Sequence, residues 1–71
     1  MSGKKVDLSI IIPVFNEEEN LPLLYQELKE VLESLRRSYE IIFIDDGSQD
    51  NSFGVLKEIQ ALDPAVKIIR L

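Results

Sequence analysis

The sequence contains no cysteine and no histidine. No disulfide can staple it, and neither thiolate nor imidazole is available to ligate a metal. The lack of cysteine fits a cytosolic chain without requiring one. Basic residues are scarce too: eight Lys and Arg stand against thirteen Asp and Glu, for a net charge of −5. Nucleic-acid-binding domains show the reverse, a basic face or stripe, so that class is disfavoured. Lys4 and Lys5 are too few to change this. Long apolar runs are also missing, and nothing approaches the roughly 18 apolar residues of a membrane span. The opening Met1-Ser2-Gly3-Lys4-Lys5 is polar, and Asp7 and Pro13 interrupt the next stretch, so no signal-peptide core forms. The expectation is a soluble chain with a cytoplasmic location and no secretory address. With 71 residues it is at most one small domain, burying only about 60% of its unfolded surface.

What is present is punctuated clearly. Leu8 to Phe15 is short, β-branched and almost continuously apolar, the signature of a strand buried on both faces, as in parallel sheets. Pro13 cannot donate a ladder hydrogen bond, so pairing fails on one side as that strand ends. Asn20 is a candidate N-cap and Pro22 falls in the first turn of a helix expected over Asn20–Arg37. Apolar residues at 21, 24, 28, 31, 32 and 35 form its stripe. Lys29, Glu33 and Arg37 are spaced for i,i+4 pairs on its polar side. Tyr39 to Asp46 reads as a second strand. Asp50 or Asn51 caps a second helix with Phe53, Leu56, Ile59 and Leu62 on one face, stopped by Asp63-Pro64. Val66 to Leu71 is a third strand. The order βαβαβ implies a parallel sheet with right-handed crossovers.

Two strand orders suit this pattern. In 2-1-3 the helices take opposite faces and half-cover each; in 3-2-1 both helices cover one face and leave the other bare. Either way more apolar sheet is left open than a monomer usually shows. The chain is therefore expected to be part of a larger protein or a homo-oligomer, associating through the open sheet face or the free edge of the first strand.

The chemistry concentrates after the first two strands. Asp45-Asp46-Gly47-Ser48 places two carboxylates and a turn glycine at a strand end, the edge at which open α/β sheets bind ligands. A polar strand-to-helix turn explains Gly47 and Asp50. It does not require adjacent carboxylates, and a ligand N–H or hydroxyl bound by one of them is the functional alternative. The spacing does not suit a calcium loop, and no G-x-G-x-x-G opens the first helix. A receiver-like phosphorylation pocket fails because its acid pair belongs after the first strand. Glu17-Glu18-Glu19 suits a helix N-terminus, and Phe15 is either core or a ring on which a nucleobase stacks.

Two stretches go beyond a pattern of types: Ile12-Pro13-Val14-Phe15-Asn16-Glu17-Glu18-Glu19-Asn20-Leu21-Pro22 and Ile44-Asp45-Asp46-Gly47-Ser48-Gln49-Asp50-Asn51-Ser52. From Val6 to Leu71 the chain resembles the amino-terminal segment of family 2 glycosyltransferases. It looks most like the branch holding dolichyl-phosphate mannose synthases and bacterial polyprenyl-phosphate sugar transferases. The resemblance implies the Rossmann-like half of a GT-A fold, with strand order 3-2-1. It makes residues 1–71 a single partial domain, with residues 1–6 expected to be a flexible N-terminus.

It also implies a half-site for a UDP- or GDP-sugar. Pro13 and Phe15 would line the nucleobase pocket, Glu17 would contact the nucleoside, and Asp46 would hydrogen-bond the base with Ile44 packed beside it. Asp45 would support the turn. Most members carry Tyr at the position of Phe15, so stacking is kept and a phenolic hydrogen bond lost. The implied reaction is hexosyl transfer to a polyprenyl phosphate by a protein associated with the cytoplasmic face of a membrane. It uses a divalent metal, Mg or Mn, held by a D-x-D motif after a later strand. This sequence has no D-x-D, so no catalytic or metal-ligating residue is assigned, and the chain alone is expected to be inactive. The competing expectation is a non-catalytic, self-associating module.

Overall fold

The computed structural model describes residues 6–71, and the expected flexible segment falls, save for Val6, outside them. The elements run in the order β1 (Leu8–Val14), α1 (Leu21–Ser34), β2 (Tyr39–Asp45), α2 (Ser52–Leu62) and β3 (Val66–Arg70). The strands form one parallel sheet in the order β1-β2-β3, the 3-2-1 arrangement read from its other edge. Of the two orders open to a βαβαβ chain, this one puts both helices over the same face.

The register shows how the faces divide. Ile10 and Ile12 of β1 lie opposite Ile41 and Phe43 of β2, which in turn face Val66 and Ile68 of β3. These side chains join Val14, Leu21, Leu32, Leu56 and Ile59 in a single core, with Phe43 fully buried on the central strand. The alternate positions form the other face. There Ser9 donates to the Glu40 carboxylate and Lys67 pairs with Glu40 at 3.7 Å, making a polar strip at the start of the strands. Toward their ends the same face is apolar and open, with Ile11 61% and Ile69 48% exposed.

Three details depart from the sequence expectation. α1 stops at Ser34 instead of Arg37, and Arg36 takes a left-handed φ of 53°. No Glu33–Arg37 pair forms because position 37 is no longer helical. Leu62 is 87% exposed because it is the last residue of α2 and the backbone turns to an extended conformation at Asp63. Leu24, Val31 and Leu35 of the α1 stripe are also exposed, since the sheet and α2 cover only the side of the helix that carries Leu21 and Leu32.

Lys29, freed from its helical neighbour, is used elsewhere. Its ammonium lies 3.4 Å from the Asp63 carboxylate, which is buried and also accepts the Tyr25 hydroxyl and the Ala65 N–H (2.9 Å). This cluster ties α1 to the α2–β3 turn. Burial pushes the Asp63 carboxyl up, but the Tyr25 hydroxyl, the Ala65 amide and the Lys29 ammonium outweigh it and hold it below its ordinary value. A lowered folded-state pKa adds stability at neutral pH that is lost as pH falls through it, here below about pH 4. Asp63→Asn should therefore flatten the acid limb of the unfolding curve. At pH 7 it should cost about 1–3 kcal/mol in urea denaturation, from the weakened bonds to Tyr25 and Lys29. An unchanged acid limb would show that Asp63 is not coupled to folding.

Candidate nucleotide-binding rim

Both polar motifs emerge at the carboxyl ends of adjacent parallel strands. Phe15–Asn20 comes after β1 and Asp46–Asn51 after β2, and β1 and β2 are hydrogen-bonded neighbours. The two loops exchange hydrogen bonds along their length. The Asp46 N–H donates to the Val14 carbonyl (2.9 Å) and the Asn16 N–H to Ser48 Oγ (3.0 Å). Asn16 Oδ1 accepts the N–H groups of Gln49 (2.7 Å) and Asp50 (3.3 Å). The Glu17 N–H donates to Ser52 Oγ (2.8 Å) and the Glu18 N–H to Asp50 Oδ2 (3.1 Å); Glu18 Oε1 returns the exchange by accepting the Asn51 N–H (3.1 Å).

Local geometry makes this possible. Asn16 has φ 52° and Gly47 φ 72°, left-handed conformations that Asn and Gly adopt readily. Each loop thereby folds back to present its amides to the other. Asp50 Oδ1 also accepts the Ser52 N–H and hydroxyl. The Ser52 hydroxyl leads the interactions that hold the Asp50 carboxyl below its ordinary value.

The acids expected to serve their own helices are thus shared. Glu18 satisfies an amide at the start of α2, not α1, and neither Asn20 nor Asn51 caps its helix through its side chain. Asn20 instead donates to Glu17 Oε2 at 2.9 Å.

Pro13 and Ile44 are register partners on the uncovered face. Phe15, 54% exposed, and Asp46, also exposed, each stand two residues further along. The Asp46 amide is tied to β1, while its carboxylate engages no other residue among those described. Glu17 is half-buried, with its amide turned to Ser52 and its carboxylate held by Asn20. Asp45 is buried and accepts the Ser48 N–H at 3.1 Å, which is turn support. Four of the five expected contact residues therefore share one rim, and Glu17 is engaged beside it.

Two cavities lie elsewhere. One, about 370 Å³, opens between α1 and α2 and is lined by Pro22, Tyr25, Val55 and Ile59 among others; the second, about 460 Å³, lies at the opposite end of the sheet beside Arg37 and Pro64. Neither includes a rim residue. Among the described residues no cluster of three or more carboxylates could hold a metal ion, and no helix is long and apolar enough to cross a membrane.

A parallel βαβαβ sheet with its polar loops gathered at the strand ends defines a Rossmann-like α/β half-domain in outline. Residues 9–71 match the model of the glycosyl transferase family 2, and the chain belongs to that family. It is 44% identical over 67 residues to "Uncharacterized glycosyltransferase YkcC" of Bacillus subtilis, covering 94% of this chain and 21% of that protein. It is 42% identical over 66 residues to "Uncharacterized glycosyltransferase sll0501" of Synechocystis sp., covering 93% of this chain and 21% of that protein. The chain thus spans about a fifth of the length of these curated relatives.

Proposed function

We propose that this chain is the nucleotide-binding portion of a glycosyltransferase that moves a hexose from a UDP- or GDP-sugar to a polyprenyl phosphate, as in the dolichyl-phosphate mannose synthase-like branch. The observation that carries the reading is the fusion of the two loops, which sets Pro13 and Ile44 side by side with Phe15 and Asp46 just beyond them. A nucleobase stacks on Phe15 over Pro13 and Ile44, and the unengaged Asp46 carboxylate accepts its N–H groups. Glu17 reaches the nucleoside once it releases Asn20.

The reaction replaces the bond from the anomeric carbon to the donor's diphosphate with one to an acceptor oxygen. A divalent cation, Mg or Mn, neutralises the departing diphosphate when bound. The residues here do not suit it: no D-x-D is present, and no three carboxylates converge among the described residues. The chain alone therefore binds without turnover. The open sheet face and the unpaired edge of β1 support a second element of the proposal, self-association of the isolated chain through these surfaces. The whole protein acts at the cytoplasmic face of a membrane.

Isothermal titration with uridine, guanosine, UDP and GDP tests the site. One nucleoside series should bind, and Phe15→Ala and Asp46→Ala should each weaken it about tenfold, the scale of one base stack or one charged hydrogen bond. Both positions are exposed, so thermal stability should hardly move. Absence of nucleoside binding, or detectable sugar transfer by this chain with manganese, would contradict the reading.

A further inference from the structure

Phe15 directly follows the last residue of β1 and is 54% exposed, so core packing does not fix the direction of its ring. An exposed side chain projects from wherever its own φ and ψ aim it. Those two torsions are set by the rigid peptide planes before and after the residue.

Both planes that flank Phe15 are tied to one turn. The Val14 carbonyl, in the plane before it, accepts the Asp46 N–H at 2.9 Å. The Asn16 N–H, in the plane after it, donates to Ser48 Oγ at 3.0 Å. Asp46 and Ser48 stand on either side of Gly47, whose φ of 72° shapes the turn. The turn that carries the Asp46 carboxylate therefore also sets the backbone from which the Phe15 ring projects. The first tie joins backbone to backbone. The second depends on a single hydroxyl.

That hydroxyl has a firm base. Ser48 is half-buried, and its own N–H donates to Asp45 Oδ1 at 3.1 Å. Asp45 is fully buried and is the register partner of Val14, so Ser48 refers the loop after β1 to a carboxylate fixed in the fold. The Asn16 side chain also crosses to this turn, accepting the N–H groups of Gln49 and Asp50. Those bonds act through the side-chain torsions of Asn16, whereas the bond to Ser48 acts on the plane next to Phe15 itself.

We propose that Ser48 is a positioning residue for ligand binding. By accepting the Asn16 N–H it holds the Phe15 ring at a fixed offset from the Asp46 carboxylate, so that one base meets both. A loop ordered before binding need not be ordered by it, and affinity gains accordingly. The proposal rests on the nucleotide reading above and assigns a role in it to a residue acting through Phe15. A hydroxyl that only supports its own turn is the plain alternative, and its loss would lower stability without changing affinity.

The test titrates uridine and guanosine into the wild-type chain, Ser48→Ala, Ser48→Thr, Phe15→Ala and the Phe15→Ala/Ser48→Ala double variant, each checked for folding by its amide spectrum. Ser48→Ala should weaken the nucleoside that binds by about fivefold, the scale of one hydrogen bond. Ser48→Thr keeps the hydroxyl and should stay within about twofold of the wild type. Because Ser48 acts through the ring, its loss should cost nothing once the ring is gone, so Phe15→Ala and the double variant should bind equally. Ser48→Cys, of similar shape but a weak acceptor, carries the same comparison if the alanine variant does not fold. Unchanged affinity in Ser48→Ala, a threonine variant as weak as the alanine one, or an equal loss in the Phe15→Ala background overturns the proposal and leaves the nucleotide reading intact. No response to either nucleoside in the wild type overturns both.

Discussion

Truncation of Phe43 to alanine is expected to leave the chain largely unfolded at 25 °C. Phe43 sits on the central strand, fully buried, between Ile12 of β1 and Ile68 of β3 in the register and beneath the helices. Phe→Ala changes at such sites cost about 3–5 kcal/mol, from lost transfer energy plus the cavity left behind. A domain of this size has about 4–10 kcal/mol of stability in all. A sheet covered on one face places this chain toward the lower end. The two figures are comparable, so one substitution consumes most of the margin. Far-UV circular dichroism should show the loss, whereas Ile11→Ala on the open face, at protein concentrations low enough to keep the chain monomeric, should leave the signal and the urea midpoint nearly unchanged. Equal losses from the two substitutions would mean that both sheet faces are covered in solution.

The second large effect is expected at Asn16. Its side chain accepts two amides of the opposite loop and its backbone is left-handed. Alanine removes both acceptors and also suits that conformation poorly, together costing about 2–3 kcal/mol. Glycine removes the acceptors but keeps the backbone, so Asn16→Gly should cost less by about 1 kcal/mol. With a urea m-value of about 1 kcal/mol/M, expected for a small domain, the alanine variant should lower the midpoint by about 2–3 M. Nucleoside affinity should fall in both variants, because the loops lose their mutual reference. A variant that lost stability and kept full affinity would show that the loops bind independently of their cross-links.

The fold was legible because local signals agreed with one another. Continuous β-branched runs marked the strands, Pro22 marked a helix start and Asp63-Pro64 a helix end, and the family resemblance selected between two strand orders. The end of α1 was not legible. No Gly or Pro stands between Leu35 and Ser38, and the stop is made by a left-handed arginine, Arg36, which no residue-type rule marks. Lys29 was assigned to a helical pair by spacing, yet the buried Asp63 carboxylate, distant in sequence, holds it. Tertiary charge outweighs an exposed i,i+4 pair worth a few tenths of a kcal/mol.

At the rim, the positions of Phe15 and Asp46 could be read from where two adjacent strands end. The cross-links could not. Ser48, Ser52, Asp50 and Glu18 have the residue types that cap their own turns. Whether such a side chain bonds locally or to a loop some 30 residues away depends on which backbone lies next to it, information that sequence spacing does not hold. Asn16 carried a faint signal, being an Asn directly after a strand end, where a left-handed turn is common.

The central claim is that two segments about 30 residues apart act as one half-site. It is tested most directly by an amide chemical-shift titration of the 71-residue chain with uridine and with guanosine. The account predicts that one of them shifts Phe15, Asn16, Ile44 and Asp46 together along a single binding curve. Shifts confined to one loop, or gathered instead in the groove between α1 and α2 around Tyr25 and Ile59, would contradict it.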